Sequence, residues 1–194
     1  MPYGRGRAYD TDMTTTGHIT TAEQLLQAPG LGRCELIRGE VVMMTPAGFR
    51  PGRIGGKVAA ALVTYVEPRR LGVVITAEGG FQIAHDPDTV RAPDVAFVRA
   101  ERLPAAEPLG FFQGAPDLAV EVLSPGDRAS EVTAKVQDWL DAGSSVVWVV
   151  DPQTNTVSVY QGRGEATILR SGDALTGGEL IPGLRIAVAE LFAT

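Results

Sequence analysis

Cysteine and histidine are nearly missing: 194 residues include one cysteine and two histidines. Cys34 alone forms no internal disulfide and builds no multi-cysteine zinc site. His18 and His85 leave little for a histidine-based metal centre or for a Ser-His-Asp triad. Any metal is therefore expected to be hard and oxygen-liganded, Mg²⁺ or Mn²⁺. Long apolar runs are absent as well, and none approaches the ~20 residues of a membrane span. The first twenty residues carry no apolar core of a signal peptide, so a cytoplasmic location without a membrane partner is expected. Positive charge is short too. Lys and Arg number 17 against 23 Asp and Glu, a formal net charge of −6. That weighs against a nucleic-acid binder with a basic surface but leaves room for a local basic groove.

What is present is an ordinary core-forming composition, 44 % hydrophobic and 21 % charged. The length fits one domain, expected over residues 19–194. Residues 1–18, with Gly4-Arg5-Gly6-Arg7 and Thr14-Thr15-Thr16-Gly17, show no periodicity and read as a disordered tail, or alternatively as an arginine arm for phosphate.

The organising stretch is Ala115-Pro116-Asp117-Leu118-Ala119-Val120-Glu121-Val122-Leu123-Ser124-Pro125. Residues 118–123 are apolar except for Glu121, which reads as a strand buried on both faces. A carboxylate inside such a strand must be paired, protonated or bound to a cation. Ala92-Pro93-Asp94-Val95-Ala96-Phe97-Val98 is a second β-rich run with a carboxylate at its head. If the two strands are neighbours, Asp94 and Glu121 face one cleft. Two like charges at close range do not both stay ionised without a cation. A divalent metal on both, on a main-chain carbonyl near Val122 and on water would resolve this.

The helix expected over 128–141 presents Ala129, Val132, Val136, Trp139 and Leu140. Lys135 falls on the margin of that face, from where its ammonium can reach across the sheet. The competing reading pairs it with Glu131 at the helix surface. Val146-Val147-Trp148-Val149-Val150 completes a strand–helix–strand unit, expected to be a right-handed crossover with parallel strands. The strands around Val157–Tyr160 and Ala166–Leu169 are expected to pair antiparallel at an edge, and a short helix is expected near Val188–Leu191.

Earlier in the chain, Thr20-Thr21-Ala22-Glu23 fits a capping box with Thr20 as cap. Cys34 to Met44 reads as a hairpin about Arg38-Gly39, with Glu40 opening its second strand. Ile54, Val58, Ala61, Leu62 and Tyr65 recur at helical spacing and place a helix at roughly 53–66. Its start, Gly52-Arg53-Ile54-Gly55-Gly56-Lys57, echoes a phosphate-binding loop, but the spacing is one residue short and Val58 replaces the magnesium-binding hydroxyl. Val73–Ile75 and Phe81–Ile83 read as a hairpin joined at Glu78-Gly79-Gly80. Residues 99–115 read as a long loop bearing an exposed Phe111-Phe112.

These segments, taken in order, carry a resemblance. Leu36-Ile37-Arg38-Gly39-Glu40-Val41-Val42-Met43, Pro93 to Val98, Ala115 to Pro125, Lys135, and Val147 to Pro152 resemble the Uma family of bacterial restriction endonucleases, within the PD-(D/E)XK superfamily. The resemblance spans roughly residues 20–192. It implies a restriction-endonuclease-like α/β fold: a central mixed β-sheet flanked by helices. It implies Asp94 and Glu121 as metal ligands, and Lys135 in place of the lysine that usually stands two residues after the glutamate, where this chain has Leu123. Glu40 would be a further acid of the site. Related chains tend to carry a histidine before the first long helix. Phe49-Arg50-Pro51-Gly52-Arg53 has none.

The expected function is a Mg²⁺- or Mn²⁺-dependent nuclease acting on phosphodiesters, DNA ahead of RNA. Asp94, Glu121, Lys135 and Glu40 would be catalytic. Arg50, Arg53 and Lys57 would contact the nucleic-acid backbone, and a homodimer is expected. The alternative is a nuclease-fold module, weak or inactive, that binds a protein partner or itself.

Overall fold

The computed structural model describes residues 19–28, 30–162 and 165–194. The expected N-terminal tail lies outside these. Helix α1 (Ala22–Leu26) is capped by Thr21, one residue later than the spacing placed it. The capping box closes with Gln24 rather than Glu23: the Gln24 N–H donates to the Thr21 hydroxyl, and the Gln24 side chain accepts from the Thr21 N–H. Strands β1 (Cys34–Ile37) and β2 (Glu40–Met43) form the expected hairpin. Arg38 and Gly39 turn it at φ of 51° and 78°, the backbone that a two-residue hairpin turn requires.

Helix α2 (Phe49–Val66) starts four residues before the expected 53. Pro51, in its first turn, needs no hydrogen-bonded N–H there. Strand β3 (Gly72–Thr76) follows, then β4 (Phe81–Ala84), β5 (Thr89–Arg91) and β6 (Val95–Arg99). The expected β3–β4 hairpin does not form. β3 pairs antiparallel with β6, whereas β4 pairs with β5 and with the short β7 (Phe112–Gln113). Glu78-Gly79-Gly80 turns the chain between two sheets rather than within one. Gly80 is needed because a Cβ there would lie 2.4 Å from the Phe111 ring. Phe111 and Phe112, expected to be exposed, are half-buried, and Phe112 packs on Phe81 at 5.6 Å between ring centroids. The aromatic pair therefore packs on the edge of the core instead of standing free.

Strand β8 (Leu118–Val122), helix α3 (Ala129–Asp141) and β9 (Val146–Asp151) form the expected unit, and β8 and β9 are parallel. Then come β10 (Thr156–Gln161), β11 (Glu165–Leu169), the small β12 (Ala174–Thr176) and β13 (Arg185–Ala187) pair, and α4 (Val188–Phe192). The main sheet is mixed and six-stranded, in the order β11-β10-β9-β8-β6-β3. A second five-stranded sheet, β2-β1-β5-β4-β7, stands beside it.

Alternation along the central strands sorts their side chains. Val95, Phe97, Leu118, Val120, Val122, Trp148 and Val150 pack with Ile54, Val58 and Leu62 of α2 and with Leu191 of α4. Ala96, Val98, Ala119, Val147 and Val149 face the other way and pack with Val136 and Trp139 of α3 and with Phe81. Glu121 shares its face with Ala119, so it points to the α3 side. Among the described residues no helix is long and apolar enough to cross a membrane.

Candidate active site

Strands β6 and β8 are antiparallel neighbours, with Val95 opposite Val120. Asp94 precedes β6 by one residue, so it arrives beside the end of β8 that carries Glu121. Its Oδ2 accepts the N–H of Val122 at 2.8 Å, and its Oδ1 is 3.3 Å from Arg33 Nη2. What Val122 offers Asp94 is an N–H, a contact that locks the two strand ends in register.

Glu121 is 8 % exposed. Trp139 Nε1 donates to its Oε1 at 2.8 Å, and Lys135 Nζ lies 2.9 Å from its Oε2. Both donors come from α3, four residues apart on one helical face. Lys135 is thus not a surface partner of Glu131, whose neighbour is Arg128. Trp139, which the spacing marks only as core, also fixes the carboxylate.

A second carboxylate meets Lys135. Glu35 of β1 is 4 % exposed, with Oε1 at 3.2 Å from Lys135 Nζ. The same oxygen accepts the Ala92 N–H at 3.0 Å, and Oε2 accepts from Arg91 Nη1 at 2.8 Å. Arg91 also donates from Nε to Asp138 Oδ2 at 2.9 Å and pairs with Asp138 through Nη2. A continuous chain of charges therefore runs from Asp138 on α3 through Arg91, Glu35 and Lys135 to Glu121. It ties the second sheet to the main one.

The hairpin acid that lines the cleft and meets Lys135 is Glu35, and the expected Glu40 lies away from it. Glu40 is exposed at the turn end of β2, opposite Ile37, and does not line the cleft. The expected backbone-binding cations are also placed elsewhere. Arg53 donates to the carbonyls of Phe192 and Ala193, and Lys57 to that of Glu190 at 2.8 Å and to that of Ala193. Both close the C-terminal carbonyls of α4, where cations are favoured. Arg50 donates to Asn155 Oδ1 at 2.8 Å. None of the three lines the cleft.

The cleft itself has a volume of about 640 Å³. Glu35, Asp94, Glu121, Asp127, Glu131 and Asp138 line it against Arg33, Arg38, Arg91 and Lys135, an excess of two negative charges when all are ionised. Burial, chiefly, pushes the Glu121 carboxyl up to about 7; Asp94 and Glu35 add to the push and Lys135 opposes it. Burial also pulls on Lys135, but Glu121, Glu35 and Asp94 outweigh it and the ammonium is held above its ordinary range. The Glu121 shift is chiefly an effect of burial, whereas that of Lys135 comes from the carboxylates around it.

A divalent cation would balance them equally well. Asp94 and Glu121 are hard oxygen donors, and four bonds occupy only part of the lone-pair capacity of two carboxylates. Among the described residues no group of three or more His, Cys, Asp or Glu is arranged to hold a metal ion. Two carboxylates completed by water and substrate oxygens suit Mg²⁺, which keeps several waters. Asp94 and Glu121 are the residues that would hold such an ion.

Residues 22–189 match the Uma2 family, described as "Putative restriction endonuclease". The fold is similar to the crystal structure of "a putative nuclease belonging to DUF820" from Anabaena variabilis ATCC 29413. That likeness has a TM-score of 0.77 at 22 % identity and covers 89 % of this chain and 97 % of the other. No curated protein matches. With the family match spanning nearly all of the described fold, the chain belongs to the Uma2 family.

Proposed function

We propose that the chain is a divalent-metal-dependent nuclease that hydrolyses nucleic-acid phosphodiester bonds. The observation that carries this is Glu121: a buried carboxylate beside Asp94 in an acidic cleft, with one lysine that it shares with Glu35. The family description, a restriction endonuclease, favours DNA over RNA.

Asp94 and Glu121 would hold Mg²⁺ or Mn²⁺. Such an ion acidifies a bound water and offsets charge on a phosphate under attack. The chain's own groups do the rest. Trp139 and the Val122 N–H fix the two carboxylates so that little reorganisation is needed. Lys135 keeps its proton because three carboxylates surround it. It therefore orients the attacking water or steadies the phosphate as a cation, and does not act as the base. Glu35 and Arg91 hold Lys135 in place.

The test is cleavage of single- and double-stranded DNA and RNA by the purified chain with Mg²⁺ or Mn²⁺. Cleavage is expected to stop on chelation and to be lost in Asp94→Asn and Glu121→Gln. Unchanged cleavage in both variants would remove the assignment. One observation favours the alternative, a binding module that keeps the fold without the chemistry: each Glu121 oxygen already has a donor. That reading expects no divalent ion to bind and no salt-dependent affinity for nucleic acid.

A further inference from the structure

We propose that Arg33 takes the substrate's phosphate, an inference that rests on the nuclease reading. Three observations converge on it. First, the cations expected to hold phosphate do not line the cleft: Arg53 and Lys57 are committed to α4 carbonyls, and Arg50 to Asn155. Second, Arg91 and Lys135 in the cleft are committed to carboxylates. Third, Arg33 is committed to very little. Its Nη2 is 3.3 Å from Asp94 Oδ1, long for a charge-assisted bond, and its Nε is shielded from solvent with no hydrogen-bond partner.

The shielded Nε cannot itself meet a ligand, but the guanidinium lines the cleft and its Nη groups, held by one long bond, have donor capacity left for a further acceptor. Its planar fork matches two oxygens of a phosphate. Its place beside Asp94 puts that fork next to the proposed cation. Asp94 would hold the cation, and an Asp94 so engaged would accept less from Arg33, leaving the guanidinium free to take a phosphate oxygen. Cation and phosphate binding would then reinforce each other. Arg38, exposed at the hairpin turn, lines the same cleft. A strand of four residues separates the two arginines, and of the two it is Arg33 that touches Asp94.

The experiment is calorimetric titration of thymidine 3′,5′-bisphosphate into the full chain at saturating Mg²⁺. Wild type is expected to bind, and Arg33→Gln to bind at least tenfold more weakly. Arg33→Lys, which keeps the charge but not the fork, should fall between them. Mg²⁺ affinity in Arg33→Gln should be unchanged or a few-fold tighter, since Asp94 loses a competitor. Arg53→Gln should bind the bisphosphate as wild type does. No binding by wild type, equal binding by Arg33→Gln, or loss of Mg²⁺ together with the bisphosphate would overturn the assignment. A failure here leaves cleavage by wild type, and its loss in Asp94→Asn and Glu121→Gln, as the separate measure of the nuclease reading.

Discussion

Asp117 and Glu121 are two buried carboxylates at opposite ends of one strand, and they are treated in opposite ways. Asp117, 1 % exposed, accepts the Arg99 N–H at 2.9 Å and the Arg99 Nε at 2.9 Å, and pairs with Arg102 at 3.0 Å. Two arginines and a main-chain donor serve one acid. Glu121 receives an indole N–H and half of a lysine, with Asp94 and Glu35 as like-charged neighbours. A saturated carboxylate is a structural joint, because little is left for a ligand to gain. An under-compensated one can bind a cation, and its incomplete pairing is what makes it useful.

The comparison can be broken in four ways. Asp117→Ala takes the shared carboxylate from both arginines, leaving Arg99 with Glu101 and Arg102 with the Ala115 carbonyl, and is expected to cost about 3 kcal/mol in urea unfolding, with Mn²⁺ affinity intact. If the variant stayed as stable as wild type, Asp117 would not be a joint. Glu121→Gln is expected to leave stability within ~1 kcal/mol while lowering cleavage at least ~100-fold, about 2.7 kcal/mol of barrier. A large stability loss without an effect on cleavage would exchange the roles of the two acids.

The third concerns pH. Glu121 stands at about 7 in the fold against an ordinary 4.5. Because the folded value is raised, its contribution to stability is full below about 4.5 and is lost as pH climbs through 7. An ion must displace that proton. Mn²⁺ affinity is expected to fall about tenfold per pH unit below 7 and to level off above it. Calorimetry in buffers of different ionisation enthalpy would count the proton released. An affinity flat from pH 5.5 to 8 would contradict the assignment. The smallest effect is expected from Lys57→Ala: about 1 kcal/mol of stability lost from the α4 contact, and no change in the salt slope of nucleic-acid binding. A slope smaller by about one would return Lys57 to the interface.

What could be read in the sequence divides along similar physical lines. Asp94, Glu121 and Lys135 stood out because each departs from a strong local pattern: an acid in or at the head of an apolar run, a lysine on the edge of an apolar helical face. The order of strands β8 and β9 about α3 followed from the same patterns. The hairpin pattern draws attention to Glu40, which opens the second strand after Gly39, and passes over Glu35, which lies in the first between Cys34 and Leu36. Only the packing of the hairpin over α3 decides which acid is buried. Arg91 and Asp138 meet across a three-residue strand and a helix face, a contact without a local signature. Two Pro-Asp pairs, Pro93-Asp94 and Pro116-Asp117, look alike in the chain. Arg99 and Arg102, which make the second structural, are distant in sequence. The β3–β4 hairpin failed for the same reason: Gly79-Gly80 marks a turn, and the turn alone does not say which sheet receives the next strand.

The most direct measurement is calorimetric titration of Mn²⁺ into wild type and into Glu121→Ala at pH 7.5. The account predicts one ion bound by wild type and none by the variant, with both proteins folded. Equal binding by the two, or no binding by wild type, would contradict it and leave Glu121 as the end of a closed network of charges.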